Sequence, residues 1–122
     1  MRKLTYLLVL LLSMLLFGCG KAQDKTVISY CKALEAGKYD EAASYLSKDA
    51  RKALDQSGGM SLLAAAGSEF KQHQGIKKID ITKRQVSGNS AMVSFIYRFN
   101  DGITVSDYFP LVKEGTEWKI TK

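Results

Sequence analysis

Apolar positions change their period along the chain, and the change separates a helical half from a sheet half. In the first half an apolar stripe at helical spacing runs through Val27, Tyr30, Cys31 and Leu34. This stripe predicts a helix that is capped by Asp24 and runs to about residue 36.

Three more helices are predicted, over residues 39–46, 48–56 (N-cap Ser47) and 62–74 (N-cap Ser61).

After Gly75 the apolar positions alternate instead, which predicts strands. The clearest strand covers residues 91–99, where alternate positions are aliphatic or aromatic. Further strands are predicted over residues 79–86, 103–113 and 117–121, separated by short turns. Helices followed by an antiparallel meander indicate an α+β domain.

The hairpin after residue 99 sets which side chains face the helices. Asn100-Asp101-Gly102 suits a three-residue loop with Gly in the left-handed position. That loop pairs Phe95 with Asp107 and Tyr97 with Val105, so Asp107 faces the apolar side of the sheet. A two-residue loop would turn Asp107 outward, because a slip of one residue exchanges the faces.

An inward carboxylate gives one candidate for chemistry. Apolar surroundings raise the pKa of a carboxyl group, as in catalytic acids. Asp107 is therefore the candidate catalytic residue, and Tyr97, Asp107 and Phe95 are the candidate ligand-binding residues. The alternative is a strand-end carboxylate that reaches solvent or anchors a tyrosine hydroxyl.

The first eighteen residues have the pattern of an export signal. Arg2 and Lys3 precede a run of mostly Leu that carries no charge as far as Phe17. A helix of that run rises roughly 21 Å, whereas a bilayer core is about 30 Å thick. Leu16-Phe17-Gly18-Cys19 resembles the lipobox of bacterial lipoproteins, although Phe17 departs from the usual small residue. The resemblance implies a signal peptide over residues 1–18 and lipidation of Cys19; an ordinary cleaved signal and a short uncleaved anchor are the alternatives.

Composition narrows the class of protein further. The formal net charge is +6, of which Arg2 and Lys3 supply two, and the rest is spread along the chain, so the charge does not favour nucleic acid as a partner. Cys31 is the only other cysteine, and its place on the apolar stripe indicates a buried structural thiol. The single histidine, His73, is interpreted as a surface residue. No metal-ligand spacing, phosphate-binding loop or nucleophile elbow is present, so no metal and no cofactor are expected.

Two stretches resemble a known superfamily. They are residues 34–47, a helix end followed by Gly37 and Tyr39, and residues 111–120, which end in Trp118-Lys119-Ile120. Both are similar to the cone-shaped domains of the nuclear transport factor 2-like (cystatin-like) superfamily, and within it to an uncharacterised bacterial lipoprotein family. The resemblance implies N-terminal helices packed on a curved four-stranded antiparallel sheet, which in some members encloses a pocket. It does not fix a function.

These observations divide the chain into a signal peptide (residues 1–18), a lipidated tether (19–24) and one domain (25–122). The main functional hypothesis is a non-catalytic module, anchored by lipid to the cell membrane or outer membrane and facing the periplasm or the exterior, that binds an envelope protein or a small molecule. The alternative is a small lyase, isomerase or hydrolase that uses Asp107. A homodimer is a further hypothesis, through an outer sheet face that carries Met92, Ile96, Tyr108 and Val112.

Overall fold

The computed structural model of the protein describes residues 22–122. The predicted signal peptide and Cys19 lie outside the described residues. Within residues 22–122, no helix combines the length and the apolar character that a membrane crossing requires.

Four helices precede the sheet within residues 22–122. The described part of helix α1 covers residues 22–35. It is followed by α2 (Tyr39–Ser44), α3 (Lys48–Gln56) and α4 (Met60–Gln72). The predicted cap at Asp24 is therefore wrong: Asp24 lies inside α1 and forms an ion pair with Arg84 of the sheet. The helix reaches into the segment that was predicted as a tether.

The helix ends show where local signals compete with tertiary contacts. Ser47 caps α3 as predicted, because its side chain accepts a hydrogen bond from the Ala50 N–H. Helix α2 ends at Ser44, before the predicted residue 46, because Leu46 bridges to Ile120 and the Ser47 N–H donates to the Ile120 carbonyl at 2.7 Å. The Ser61 cap is wrong, since Gly59 is the N-cap of α4 and the Ser61 hydroxyl donates back to the Gly58 carbonyl.

The sheet has four antiparallel strands in the order β1-β2-β3-β4. Their bounds are β1 (Ile76–Ser87), β2 (Ser90–Phe99), β3 (Thr104–Glu114) and β4 (Glu117–Ile120). The predicted hairpin register is confirmed, with Phe95 opposite Asp107 and Tyr97 opposite Val105. Strand β1 begins three residues earlier than predicted, where the Ile76 N–H donates to the Glu35 carboxylate of α1 at 2.6 Å.

The core lies between the helices and the inner face of the sheet. The predicted stripe on α1 is confirmed, with Val27, Cys31 and Leu34 at 0 %, 0 % and 2 % exposure. The sheet contributes alternate side chains of β2 and the inner residues of the other strands. Its buried members are Ala91, Val93, Phe95, Tyr97, Phe99, Leu111 and Ile120.

Candidate functional site

The inner face of β2 meets α1 at a buried tyrosine and thiol. Alternation along β2 places Tyr97 toward α1, where helical spacing presents Cys31. The Cys31 thiol and the Tyr97 hydroxyl lie 3.4 Å apart, so that one donates a hydrogen bond to the other. Both residues are buried, as the sequence indicated for Cys31. The hydrogen bond satisfies a hydroxyl that would otherwise be costly to bury.

Aromatic rings fill the space around this pair. The ring of Phe70 from α4 lies 5.2 Å from that of Tyr97 and 6.0 Å from that of Phe99. On the other side, the Phe95 ring lies 5.0 Å from Tyr97 and 5.2 Å from Phe109. These spacings are those of packed aromatic pairs. Side chains therefore occupy the interior of the cone at the level of Phe95 and Tyr97.

Burial keeps the ionisable groups of this interior neutral. It raises the pKa of the Cys31 thiol to about 12, and the charge of Asp107 adds to that rise, while the hydrogen bond between Cys31 and Tyr97 opposes it. Burial likewise raises the pKa of Tyr30 to about 12 and moves the pKa of Tyr97 further upward. A thiol must ionise before it acts as a nucleophile. Cys31 is thus a protonated, structural group at neutral pH.

Asp107 lies at the rim of the cone and not within it. Its side chain is exposed, and its Oδ1 accepts a hydrogen bond from the Tyr108 N–H at 2.8 Å. Val105, the preceding residue on the inner face of β3, is 42 % exposed, and Ile103, just before the strand, is 48 % exposed. The structure therefore places Phe95 and Tyr97 together in the packed interior and Asp107 outside it, where the carboxylate meets water and backbone.

His73, at the end of α4, packs against the tip of the β2–β3 hairpin. Its Nδ1 lies 2.8 Å from Asp101 Oδ2, and its ring stacks on Phe99 with centroids 4.5 Å apart. The pKa of Asp101 is lowered by the hydrogen bond from the Ile103 N–H and by His73. His73 is partly covered, with 24 % of its side chain exposed. Together these contacts fix the end of α4 against the hairpin.

Side chains that could bind a metal do not cluster within residues 22–122. No group of three His, Cys, Asp or Glu side chains is close enough there to hold an ion.

A family model for a domain of unknown function, DUF4878, matches residues 17–121, nearly the whole chain. The chain belongs to the DUF4878 family.

Solved structures similar to this DUF4878 domain share its fold. A Campylobacter jejuni protein classed provisionally as an NTF2-like transpeptidase is 21 % identical, with a TM-score of 0.64 over 76 % of this chain and 91 % of that chain. A de novo designed NTF2-fold protein is 20 % identical, with a TM-score of 0.53 over 80 % of each chain. A DUF4783 family protein from Bacteroides ovatus is 14 % identical, with a TM-score of 0.53 over 76 % of this chain and 86 % of that chain. None of the curated proteins matches the sequence.

These likenesses establish an NTF2-like fold for the DUF4878 domain, as the sequence resemblance implied. At this level of identity they carry no activity from one protein to the other. The function of this chain must therefore be inferred from its own surfaces.

One surface of the DUF4878 domain has no counterpart in the sequence predictions. A groove of about 540 Å³ lies between the start of α1, the turn after α2 and the β3–β4 hairpin. Lys25, Ser29, Tyr45 and Trp118 line it, together with Lys119, whose Nζ donates to the Ser44 carbonyl at 2.7 Å. Its residues come from three separate segments with no shared motif, so no periodicity or spacing in the sequence marks it.

Proposed function

We propose that this DUF4878 protein is a non-catalytic binding module, held by lipid on a membrane of the bacterial cell envelope. The observation that carries the proposal is the packed interior. Asp107, the candidate catalytic residue, has an exposed carboxylate that accepts a hydrogen bond from the Tyr108 N–H. The hydroxyl of Tyr97, a candidate ligand-binding residue, is buried and bonded to Cys31. A catalytic site needs an enclosed space into which its acid or base points.

The anchor is the second element of the proposal. The lipobox-like Leu16-Phe17-Gly18-Cys19 supports diacylation at the Cys19 sulfur. Each buried acyl carbon contributes ~0.8 kcal/mol, and two or more chains hold a protein stably on a bilayer. Gly20 and Lys21 alone separate Cys19 from the first described helical residue. Even fully extended, those links span only about 10 Å, so the start of α1 and its groove would lie near the lipid headgroups.

The test of the anchor is the mass of the N-terminal peptide of protein purified from its own cells. We expect a peptide that begins at Cys19 and carries acyl chains. Cys19→Ser should release the protein from the membrane fraction, whereas Cys31→Ser is the matched control and should leave it there. A peptide that begins at Met1, or a free thiol at Cys19, would exclude the lipoprotein assignment.

The test of the non-catalytic role is complementation of a deletion strain. The double variant Tyr97→Phe, Asp107→Asn removes both groups that an enzyme in the cone would use. We expect it to complement like the wild type once its folded abundance is matched. Loss of complementation by a well-folded double variant would favour the alternative, a small lyase, isomerase or hydrolase.

A further inference from the structure

Among the described residues, nothing pairs with the outer edge of β3 over half of the strand. Strand β4 pairs only with the stretch from Leu111 to Glu114, and the Thr121 N–H extends this row by one bond to the Pro110 carbonyl at 2.9 Å. Before Pro110, every residue from Thr104 to Tyr108 is exposed. Within the part of the chain that the structure describes, no backbone hydrogen bond reaches this edge.

The backbone groups at this edge point away from the sheet. The Phe99 N–H donates to the Ile103 carbonyl, which fixes the alternation of the β2–β3 ladder. It follows that the N–H and carbonyl groups of Thr104, Ser106 and Tyr108 face outward. Only the Tyr108 N–H has a partner within residues 22–122, the Asp107 carboxylate at 2.8 Å. A strand placed here would find a row of free donors and acceptors about 17 Å long.

The opposite edge of the sheet, formed by β1, has features that disfavour the addition of a strand. Strand β1 carries Lys77, Lys78, Lys83 and Arg84, and its pairing with β2 is interrupted by two register shifts. Basic side chains and bulges are the usual means of preventing strand addition at an edge. The uncovered part of β3 has neither a lysine nor a bulge. It presents the exposed side chain of Val105, and the exposed Ile103 lies just before the strand.

We propose that this uncovered edge of β3, residues 104–108, binds an extended segment of a partner protein as an added strand, with a lysine or arginine of that segment facing Asp107. The charge of Asp107 argues for such a basic segment, because the carboxylate is exposed and no described cation pairs with it. Apolar residues two and four positions after that lysine or arginine would lie opposite Val105 and Ile103 in antiparallel pairing. The inference rests on the proposed binding role and names the surface that serves it.

Asp107 also couples the two kinds of contact. In the free protein its carboxylate holds the Tyr108 N–H. A cation from the segment would draw the carboxylate away and release that N–H to a carbonyl of the added strand. The same residue thereby protects the empty edge and selects the segment that fills it.

The experiment is an NMR titration of the full chain in detergent micelles with an end-capped heptapeptide, Val-Thr-Lys-Thr-Val-Thr-Val. In antiparallel pairing its lysine lies beside Asp107. We expect saturable shifts in the amides of Thr104, Ser106 and Tyr108. Replacing the peptide's lysine with glutamate should weaken binding about fivefold, since a cross-strand charge pair is worth up to ~1 kcal/mol.

Two variants separate the backbone contribution from the charge. Ser106→Pro removes an outward N–H at a position where an edge tolerates proline, and it should abolish binding. Val86→Pro on the outer edge of β1 is its matched control and should bind like the wild type. Asp107→Asn should keep the binding and lose the preference for lysine over glutamate, which tests the proposal even if the proline variant fails to fold.

Three results would overturn the proposal. The first is the absence of saturable shifts at these amides up to about 5 mM peptide. The second is equal binding of the lysine and glutamate peptides to the wild type. The third is a concentration dependence of the same amides without peptide, which would assign the edge to a second copy of this chain. The lipid anchor and the non-catalytic role are tested by N-terminal mass and by complementation, so their failure is distinguishable from these outcomes.

Discussion

Gly67 lies in α4 where this helix approaches the end of α1, and Gly67→Ala sets two effects against each other. Alanine is the better helix former by about 1 kcal/mol, so an isolated helix would gain stability. In the folded domain, however, a Cβ at this position would lie 2.6 Å from the Leu34 carbonyl oxygen and 3.4 Å from the Tyr39 ring. A backbone oxygen at that distance cannot rotate away as a flexible side chain would.

The magnitude follows from the movement that the new methyl group requires. Ordinary contact begins near 3.4 Å, so α4 and α1 must separate by most of an ångström at this crossing. The same shift loosens the packing of Leu63 and Phe70, which are 3 % and 6 % exposed. Overpacking of this kind costs about 1–3 kcal/mol, and the backbone neighbour argues for the upper part of that range. After the gain in helix propensity, we expect a net destabilisation of ~1–2 kcal/mol.

The assay is urea unfolding of the full chain in detergent, followed by the fluorescence of the single tryptophan, Trp118. With a slope of about 1–1.5 kcal/mol per molar urea, the midpoint should fall by roughly 1 M. Ser68→Ala is the matched control, because Ser68 is the next residue in α4 and is exposed. The control should be neutral or slightly more stable. A Gly67→Ala protein as stable as the wild type would refute the argument that close approach of the two backbones selects glycine.

Three further changes test other parts of the structure by the same unfolding assay. Phe95→Ala empties a site that is 1 % exposed and should cost ~3–5 kcal/mol; a loss under ~1 kcal/mol would contradict the packed interior. Ser47→Ala removes the α3 cap and the bond from its hydroxyl to Thr121, with an expected loss of ~1–2 kcal/mol, while Ser57→Ala at the exposed end of α3 should change little. Because burial raises the pKa of the Cys31 thiol from 9.0 to about 12, the unfolded chain loses this proton first. The contribution of this thiol to the free energy of unfolding should then be constant below pH 9 and fall between pH 9 and 12 by up to ~1.4 kcal/mol per pH unit, and a flat profile over that range would argue against a buried thiol.

Local chemistry explains why the hairpin could be predicted in detail. Asn100-Asp101-Gly102 specifies a three-residue loop, and Gly102 has the expected left-handed conformation with φ 88°. Strict alternation in β2 then transmits that register along the strand, so that the pairing of Phe95 with Asp107 followed from the sequence. Both signals act over a few residues and need no distant partner.

The helix boundaries were less predictable because distant contacts decide them. Asp24 is a residue type that favours the N-cap position, yet its carboxylate accepts a hydrogen bond from Arg84 of β1. Leu46 continues the apolar pattern of α2, but a bridge to Ile120 ends the helix before it. In each case a contact between segments far apart in sequence outweighs a local preference of ~1 kcal/mol.

The sequence by itself determined the order of helices and strands, the strand register, the apolar stripe of α1 and the lipobox-like segment. These depend on side-chain period and turn residues, which are properties of neighbours along the chain. Only the tertiary structure decided that the Tyr97 hydroxyl is buried against Cys31 while Asp107 is exposed, and that no strand within residues 22–122 pairs with the outer edge of β3 before Pro110. The exposure of a side chain depends on whether another helix or strand extends far enough to cover it. The pattern of amino acids within one element does not determine how far a neighbouring element extends over it.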